Sequence, residues 1–166
     1  MAKIYSRTDL AIISIVVIMI TISSCRDAEE QKSNVDAIHQ KLIFAKGEKI
    51  TNNNFTGNAY LQMLINADSL NQTSVGNVTF EPGARTKWHL HPAGQILLVT
   101  DGVGYYQEKG KLKKILRKGD SVKCPPNTEH WHGASPDTFF VQLAITGREK
   151  GETVWLNAVS DEEYLK

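Results

Sequence analysis

Cysteine is nearly absent from this chain, with only Cys25 and Cys124 among its 166 residues. That excludes a fold stapled by disulfides and leaves no thiolate cluster to favour zinc. An excess of charge is missing as well. The formal net charge is +1 and no basic patch or stripe stands out, so nucleic acid is not an expected partner. Long apolar runs are also lacking: the run from Leu10 to Ile22 is too short to span a bilayer comfortably. No internal repeat occurs at the periods of solenoids or propellers. What is present, 166 residues with 41% hydrophobic content, suffices for one ordinary core and a single domain.

The N-terminus stands apart from that domain. Lys3 and Arg7 precede the apolar run and Ile-Ser-Ser-Cys follows it at Ile22 to Cys25, the order of an export signal. A branched aliphatic, two small residues and a cysteine resemble the bacterial lipobox. The resemblance implies that residues 1–24 are a signal peptide and that Cys25 becomes the lipidated first residue of the mature protein. It also implies a location in the bacterial cell envelope, exported and anchored to a membrane by lipid. An uncleaved anchor, or an ordinary signal peptide with a chance cysteine, is the alternative. Cleavage removes Lys3, Arg7 and Asp9 and leaves basic and acidic residues equal in number. Residues 25–34 carry the polar run RDAEEQKSN and read as a flexible tether. Residues 35–166 form the domain. Cys124, the other cysteine, reads as a buried small hydrophobe, and His39 as a surface residue.

Within the domain, Val35 to Phe44 fits a short helix or a first strand, and KGEK and TNNN signal turns. Ala59 to Ile65 and Val75 to Phe80 read as strands. Val103 to Tyr106 and Ile115 to Leu116 form a hairpin turning near Gly110, and further strands lie at Ser121 to Cys124 and His130 to His132. Thr138 to Ile145 is apolar on both faces, which marks a central strand. Ser160 and Glu163 make a capping-box pattern, so one exposed helical turn is expected at the C-terminus. Short strands at regular spacing between Gly, Pro and Asn argue an all-β barrel or sandwich.

The chemistry concentrates in Gly83 to Gly102, which reads GARTKWHLHPAGQILLVTDG. In a strand, residues two apart share a face, so His89 and His91 can aim both imidazoles at one point. After the turn Pro-Ala-Gly, Gln95 can return towards it. A fourth donor must come from elsewhere, and the run His-Trp-His at His130 to His132 is the obvious supplier.

These residues resemble two motifs of the cupins, a superfamily of double-stranded β-helix, jelly-roll barrels. The first, G-x5-H-x-H-x3,4-E-x6-G, is matched at Gly83, His89, His91 and Gly102, with Gln95 in place of glutamate. The second, G-x5-P-x-G-x2-H-x3-N, is matched at Gly119, Pro125 and His130, with Asn127 and Ala134 replacing glycine and asparagine. Asparagine tolerates left-handed backbone, so Asn127 is a mild departure. The run VTFEPGARTKWHLHPAGQ, with PPNTEHWHGASP and VSDEEYLK, is similar to small manganese-dependent cupins typified by bacterial hydroxynitrile lyases, which also carry glutamine there. By that resemblance His89, His91, Gln95 and His130 hold a divalent transition metal, Mn²⁺ or else Fe²⁺, and His132 lines the cavity as an acid or base. A fifth ligand or a structural hydrogen bond is the other role open to His132.

Three imidazoles and an amide oxygen suit an octahedral divalent ion with two positions open, and an uncharged donor set leaves its full charge facing the cavity, favouring anionic ligands. Two departures from the lyases stand out: Gln142 occupies the place of another cavity histidine, and Lys87 that of a small residue. Lys87 either attracts an anion at the cavity mouth or leans out to solvent. Trp88, Trp131, Phe139, Val141, Leu143, Ile96 and Leu98 are assigned to packing, in the core or in the interface of a homodimer or higher homo-oligomer. Three functions follow as expectations: a metal-dependent lyase on a small-molecule substrate, an Fe-dependent dioxygenase, and a lipid-tethered binding or sensing module in which metal serves structure alone.

Overall fold

The computed structural model describes residues 42–166. The export signal, Cys25, the tether, His39 and most of the segment from Val35 lie outside the described residues, and Leu42 to Phe44 adopt no regular structure. Alternation of β-branched and aromatic residues with turn-forming Gly, Pro and Asn yields twelve short strands. They are β1 (Glu48–Lys49), β2 (Phe55–Thr56), β3 (Ala59–Ile65), β4 (Thr73–Phe80), β5 (Arg85–Thr86), β6 (His89–Leu90) and β7 (Gln95–Glu108). There follow β8 (Lys114–Arg117), β9 (Ser121–Cys124), β10 (His130–Ala134), β11 (Phe140–Gly147), β12 (Val154–Trp155) and a terminal helix α1 (Asp161–Leu165). The KGEK segment expected as a turn contributes β1, because Gly47 (φ +81°) turns the chain just before it.

The strands make one curled antiparallel sheet in the order β1-β3-β4-β11-β7-β10-β5-β2, with β6 and β12 continuing from β10 and with β8 and β9 flanking β7. The central position expected for Thr138 to Ile145 is observed: β11 lies between β4 and β7. The all-β architecture stands, with one change in detail. Gly102 does not end a strand but bends one. The first part of β7 pairs with β9 and β11, and the part beyond Gly102 pairs with β8 and β10. Gly102 sits at φ +76°, beside a register shift opposite Val141 and Gln142. One strand thereby serves both walls of the curl, as bulges at barrel corners do.

Phe80, Leu97, Tyr106 and Phe140 fill the core inside this curl. A second cluster, Trp88, Trp131, Val159 and Tyr164, joins the C-terminal segment to the sheet, so the two tryptophans serve packing as expected. The capping box is present: Ser160 Oγ accepts from the Glu163 N–H, and the Glu163 carboxylate accepts from the Ser160 N–H. The helical turn is not wholly exposed, because Tyr164 is buried against Trp131 and donates its hydroxyl to the Ala134 carbonyl (2.8 Å). Buried Arg85 ties the same segment down through the Val159 carbonyl and Asp161.

A Cβ at Gly102 would stand 2.0 Å from the Phe139 carbonyl oxygen at a backbone angle that L residues rarely adopt. Gly102→Ala is therefore expected to cost more than about 2 kcal/mol in chemical denaturation. A loss under half of that would show that the bend does not depend on glycine.

Candidate metal centre

Antiparallel pairing sets His89 directly opposite His130, and strand alternation puts His132 on the same side as His130. His91 follows β6, and Gln95 begins β7. All five side chains are buried and converge inside the curl. The His89 ring centroid lies 4.2 Å from that of His130, 5.1 Å from His91 and 5.2 Å from His132. The tightest set is His89, His130 and His132, whose ligand-capable atoms all lie within 4.8 Å of one another. This cluster is compatible with a divalent metal. The His91 ring lies 5.5 Å from that of His130, against 5.9 Å for His132, so His91 borders the same point.

What holds each ring from behind decides what it offers in front. His89 Nδ1 donates to the Lys87 carbonyl (2.9 Å) and His130 Nδ1 to the Thr128 carbonyl (2.9 Å). Carbonyl oxygens only accept, so both rings carry their proton on Nδ1 and turn an Nε2 lone pair inward. His91 Nδ1 lies 3.0 Å from Thr153 Oγ1, which also accepts from Arg148. With Nδ1 donating to that oxygen, His91 Nε2 is a free acceptor, and it is buried without a partner. Gln95 Nε2 donates to Thr146 Oγ1 (3.0 Å), which aims Oε1 at His130 Nε2, 3.3 Å away. Two acceptors facing each other at that distance in a dry interior repel, and a cation between them removes the repulsion. On these observations the residues fit a divalent metal.

His132 is held differently. Its Nδ1 accepts from the side-chain amide of Gln142 (2.9 Å), while Gln142 Oε1 is buried with no partner. A donor behind Nδ1 keeps the proton on Nε2, so this one ring presents an N–H to the cavity. Its Nε2 therefore has no free lone pair.

Burial and the neighbouring rings push all four imidazoles towards their neutral forms. His89 and His132 are held well below the ordinary histidine range, mainly by desolvation and then by the adjacent histidines. His91 is lowered to about 3, by burial first, then His130 and the Arg148 charge. His130 is lowered to about 4 by burial. Neutral imidazole is the state in which a ring can ligate.

The rings open into a small cavity of about 130 Å³, walled by Phe55, Leu61, Val78 and Trp155. Sequence reasoning missed four contributors. Trp155 on β12 pairs with His89 and covers its ring at 4.8 Å. Thr153 backs His91, Thr146 orients Gln95, and Arg148 reaches the cavity. The alternation Gln142, Ala144, Thr146, Arg148 along β11 was the available signal for two of them. Lys87 is not among the cavity-lining residues. It falls between β5 and β6, where the strand alternation that would aim it inward is broken. Cys124 is buried as expected, with Sγ 3.1 Å from His130 Nδ1.

A family model described as the cupin domain matches residues 76–143. The chain is 44% identical over 113 residues to the (R)-mandelonitrile lyase of Granulicella tundricola, an alignment covering 68% of this chain and 86% of that protein. The chain belongs to the cupins. The crystal structure of a cupin-like protein from Thermotoga maritima is similar at 50% identity and a TM-score of 0.70, over 74% of this chain and 93% of that one. A cupin 2 conserved barrel domain protein from Rhodopseudomonas palustris shares the fold at 16% identity, with a TM-score of 0.56 over 70% of this chain and 78% of that one. In this cupin the left-handed Asn127 (φ +57°) keeps the backbone that the second motif's glycine would supply.

Depressed histidines make a pH prediction for the metal-free protein. The unfolded chain takes up these protons near pH 6.5, whereas folded His130 and His91 take them up only near 4 and 3. Their contribution to stability is therefore complete above about pH 6.5 and declines as pH falls towards the folded values. The expected slope approaches about 1.4 kcal/mol per pH unit for each such histidine. Urea unfolding of chelator-treated protein between pH 7.5 and 4.5 measures it, and a flat profile would contradict the buried neutral cluster.

Proposed function

We propose that this cupin is a metal-dependent lyase that breaks or forms a carbon–carbon bond next to an oxygen, in the manner of a hydroxynitrile lyase. His89, His91, Gln95 and His130 hold the metal, and His132 carries the proton. The observation that carries this reading is the contrast behind the rings. His89 and His130 have a carbonyl acceptor at Nδ1 and His91 has the Thr153 hydroxyl there, whereas His132 has the Gln142 amide donating. His132 thus stands within reach of the same point without a free Nε2 lone pair, which suits a proton carrier better than a fifth ligand. The relation to the (R)-mandelonitrile lyase of Granulicella tundricola supports the reaction class.

A bound Mn²⁺ or Fe²⁺ would supply Lewis-acid polarisation of the substrate oxygen. The chain's own residues do the rest. In cleavage of a cyanohydrin the hydroxyl proton is given up, the bond between the carbinol carbon and the nitrile carbon breaks, a carbonyl forms, and the departing cyanide gains a proton. His132 Nε2 can take the first proton in the ring's other tautomer, reached when the Gln142 amide turns by half a rotation and the ring proton exchanges through water from Nε2 to Nδ1. Nδ1–H then donates to Oε1, the buried oxygen that otherwise has no partner. The same Nε2 proton passes on to cyanide, so the ring returns to its Nδ1–H form and one HCN leaves for each carbonyl formed. Gln142 orients His132 throughout.

A homodimer would pack on the outer face of the sheet. Ile96 and Leu98 are exposed there, opposite Ile145 and Leu143.

His132→Ala is expected to retain stoichiometric metal while slowing cyanohydrin cleavage by about 10²-fold or more. Gln142→Leu should slow it less, also at unchanged metal content. Elemental analysis with turnover assays in air and under argon checks both. Full turnover in His132→Ala would remove the proton-carrier role, and activity that requires oxygen would replace the lyase with a dioxygenase.

A further inference from the structure

We propose that the cavity takes a small carboxylate-bearing substrate, and that Arg148 at its mouth is the residue that selects it. This rests on the metal-site reading above and names the substrate class for it. No aspartate, glutamate or lysine is found among the described residues lining the cavity, and Arg148 supplies its one formal charge. The proposed donor set, three imidazoles and an amide, is uncharged, so a divalent ion would add to that positive field. An anion is the complementary ligand.

Arg148 is built to receive one. It follows β11 at the next inward position after Gln142, Ala144 and Thr146. Its Nε donates to Ser74 Oγ (3.2 Å), and Nη1 donates to Thr153 Oγ1 (3.3 Å) and to Glu152 (2.8 Å). These contacts fix the guanidinium plane. Nη2, with two N–H groups, has no hydrogen-bond partner among the described residues. The Glu152 side chain is 85% exposed while that of Arg148 is 28% exposed, so water already competes for that ion pair and a ligand carboxylate can displace it at small cost. A guanidinium edge matches the two oxygens of a carboxylate.

Position completes the case. Thr153 Oγ1 touches both Arg148 Nη1 and His91 Nδ1, so a carboxylate on Arg148 lies one residue away from the histidine cluster. A cavity of about 130 Å³ limits that ligand to a few carbon atoms. Arg148, and not Lys87, is the cation that lines the cavity.

Lactate and lactamide test this, because they share size and hydroxyl group and differ in a carboxylate against a neutral amide. Calorimetric titration of Mn²⁺-loaded protein is expected to give lactate an affinity about tenfold or more above that of lactamide. Arg148→Gln should reduce the preference severalfold and leave only the part that the metal's charge supplies, whereas Arg148→Lys should recover part of the loss. Metal content, measured on all three proteins, should be equal. Equal affinities in the wild type, binding of neither probe, or a preference undiminished in Arg148→Gln would each overturn the proposal. Absence of cyanohydrin cleavage by the wild type would instead sink the reaction class while leaving this binding result intact.

Discussion

Each imidazole facing the cavity is held from behind by one hydrogen bond at Nδ1, and the chemistry of the site depends on which partner makes it. A neutral imidazole has one proton and two nitrogens, so an acceptor at the back leaves a lone pair in front, and a donor at the back leaves an N–H. The Lys87 and Thr128 carbonyls and the Thr153 hydroxyl stand on one side of that distinction, and the Gln142 amide on the other. Four histidines that look alike in the sequence thus present two different faces to the cavity. Because the rings are buried, the carbonyls behind His89 and His130 hold both in the Nδ1–H tautomer, since the other tautomer would set two acceptors face to face in the interior.

The fold supplies those partners through register. Pairing of β6 with β10 sets His89 against His130, and a one-residue slip would turn one of them away. The long strand β7, bent at Gly102, brings Gln95 to the same centre at one end and buttresses β10 at the other. The C-terminal segment closes the arrangement. Trp155 covers His89, Thr153 backs His91, and Arg85, Val159 and Tyr164 bind the last residues to the sheet.

Strands and motif were legible from local chemistry. Ala59 to Ile65 and Ser121 to Cys124 announced themselves by composition and turn punctuation, and the spacing of His89, His91, Gln95 and His130 marked one site. What could not be read depended on contacts distant in sequence. Thr153 reaches His91 from 62 positions away, and nothing local to ETVW says where it docks. Of the two roles open to Lys87, the break in alternation between β5 and β6 leaves it outside the cavity lining. Arg148 lay just past the strand whose alternation pointed to it. Glycine at 102 was legible as a turn former, yet whether it ends a strand or bends one is decided by its partners, β10 and β11.

The division of the histidines into three lone-pair rings and one N–H ring can be observed directly. Nitrogen NMR of ¹⁵N-histidine-labelled, metal-free protein at neutral pH distinguishes protonated from unprotonated Nε2 in each ring. The account predicts Nδ1–H tautomers for His89, His91 and His130 and an Nε2–H tautomer for His132. An Nδ1–H tautomer at His132, or an Nε2–H tautomer at His130, would contradict it.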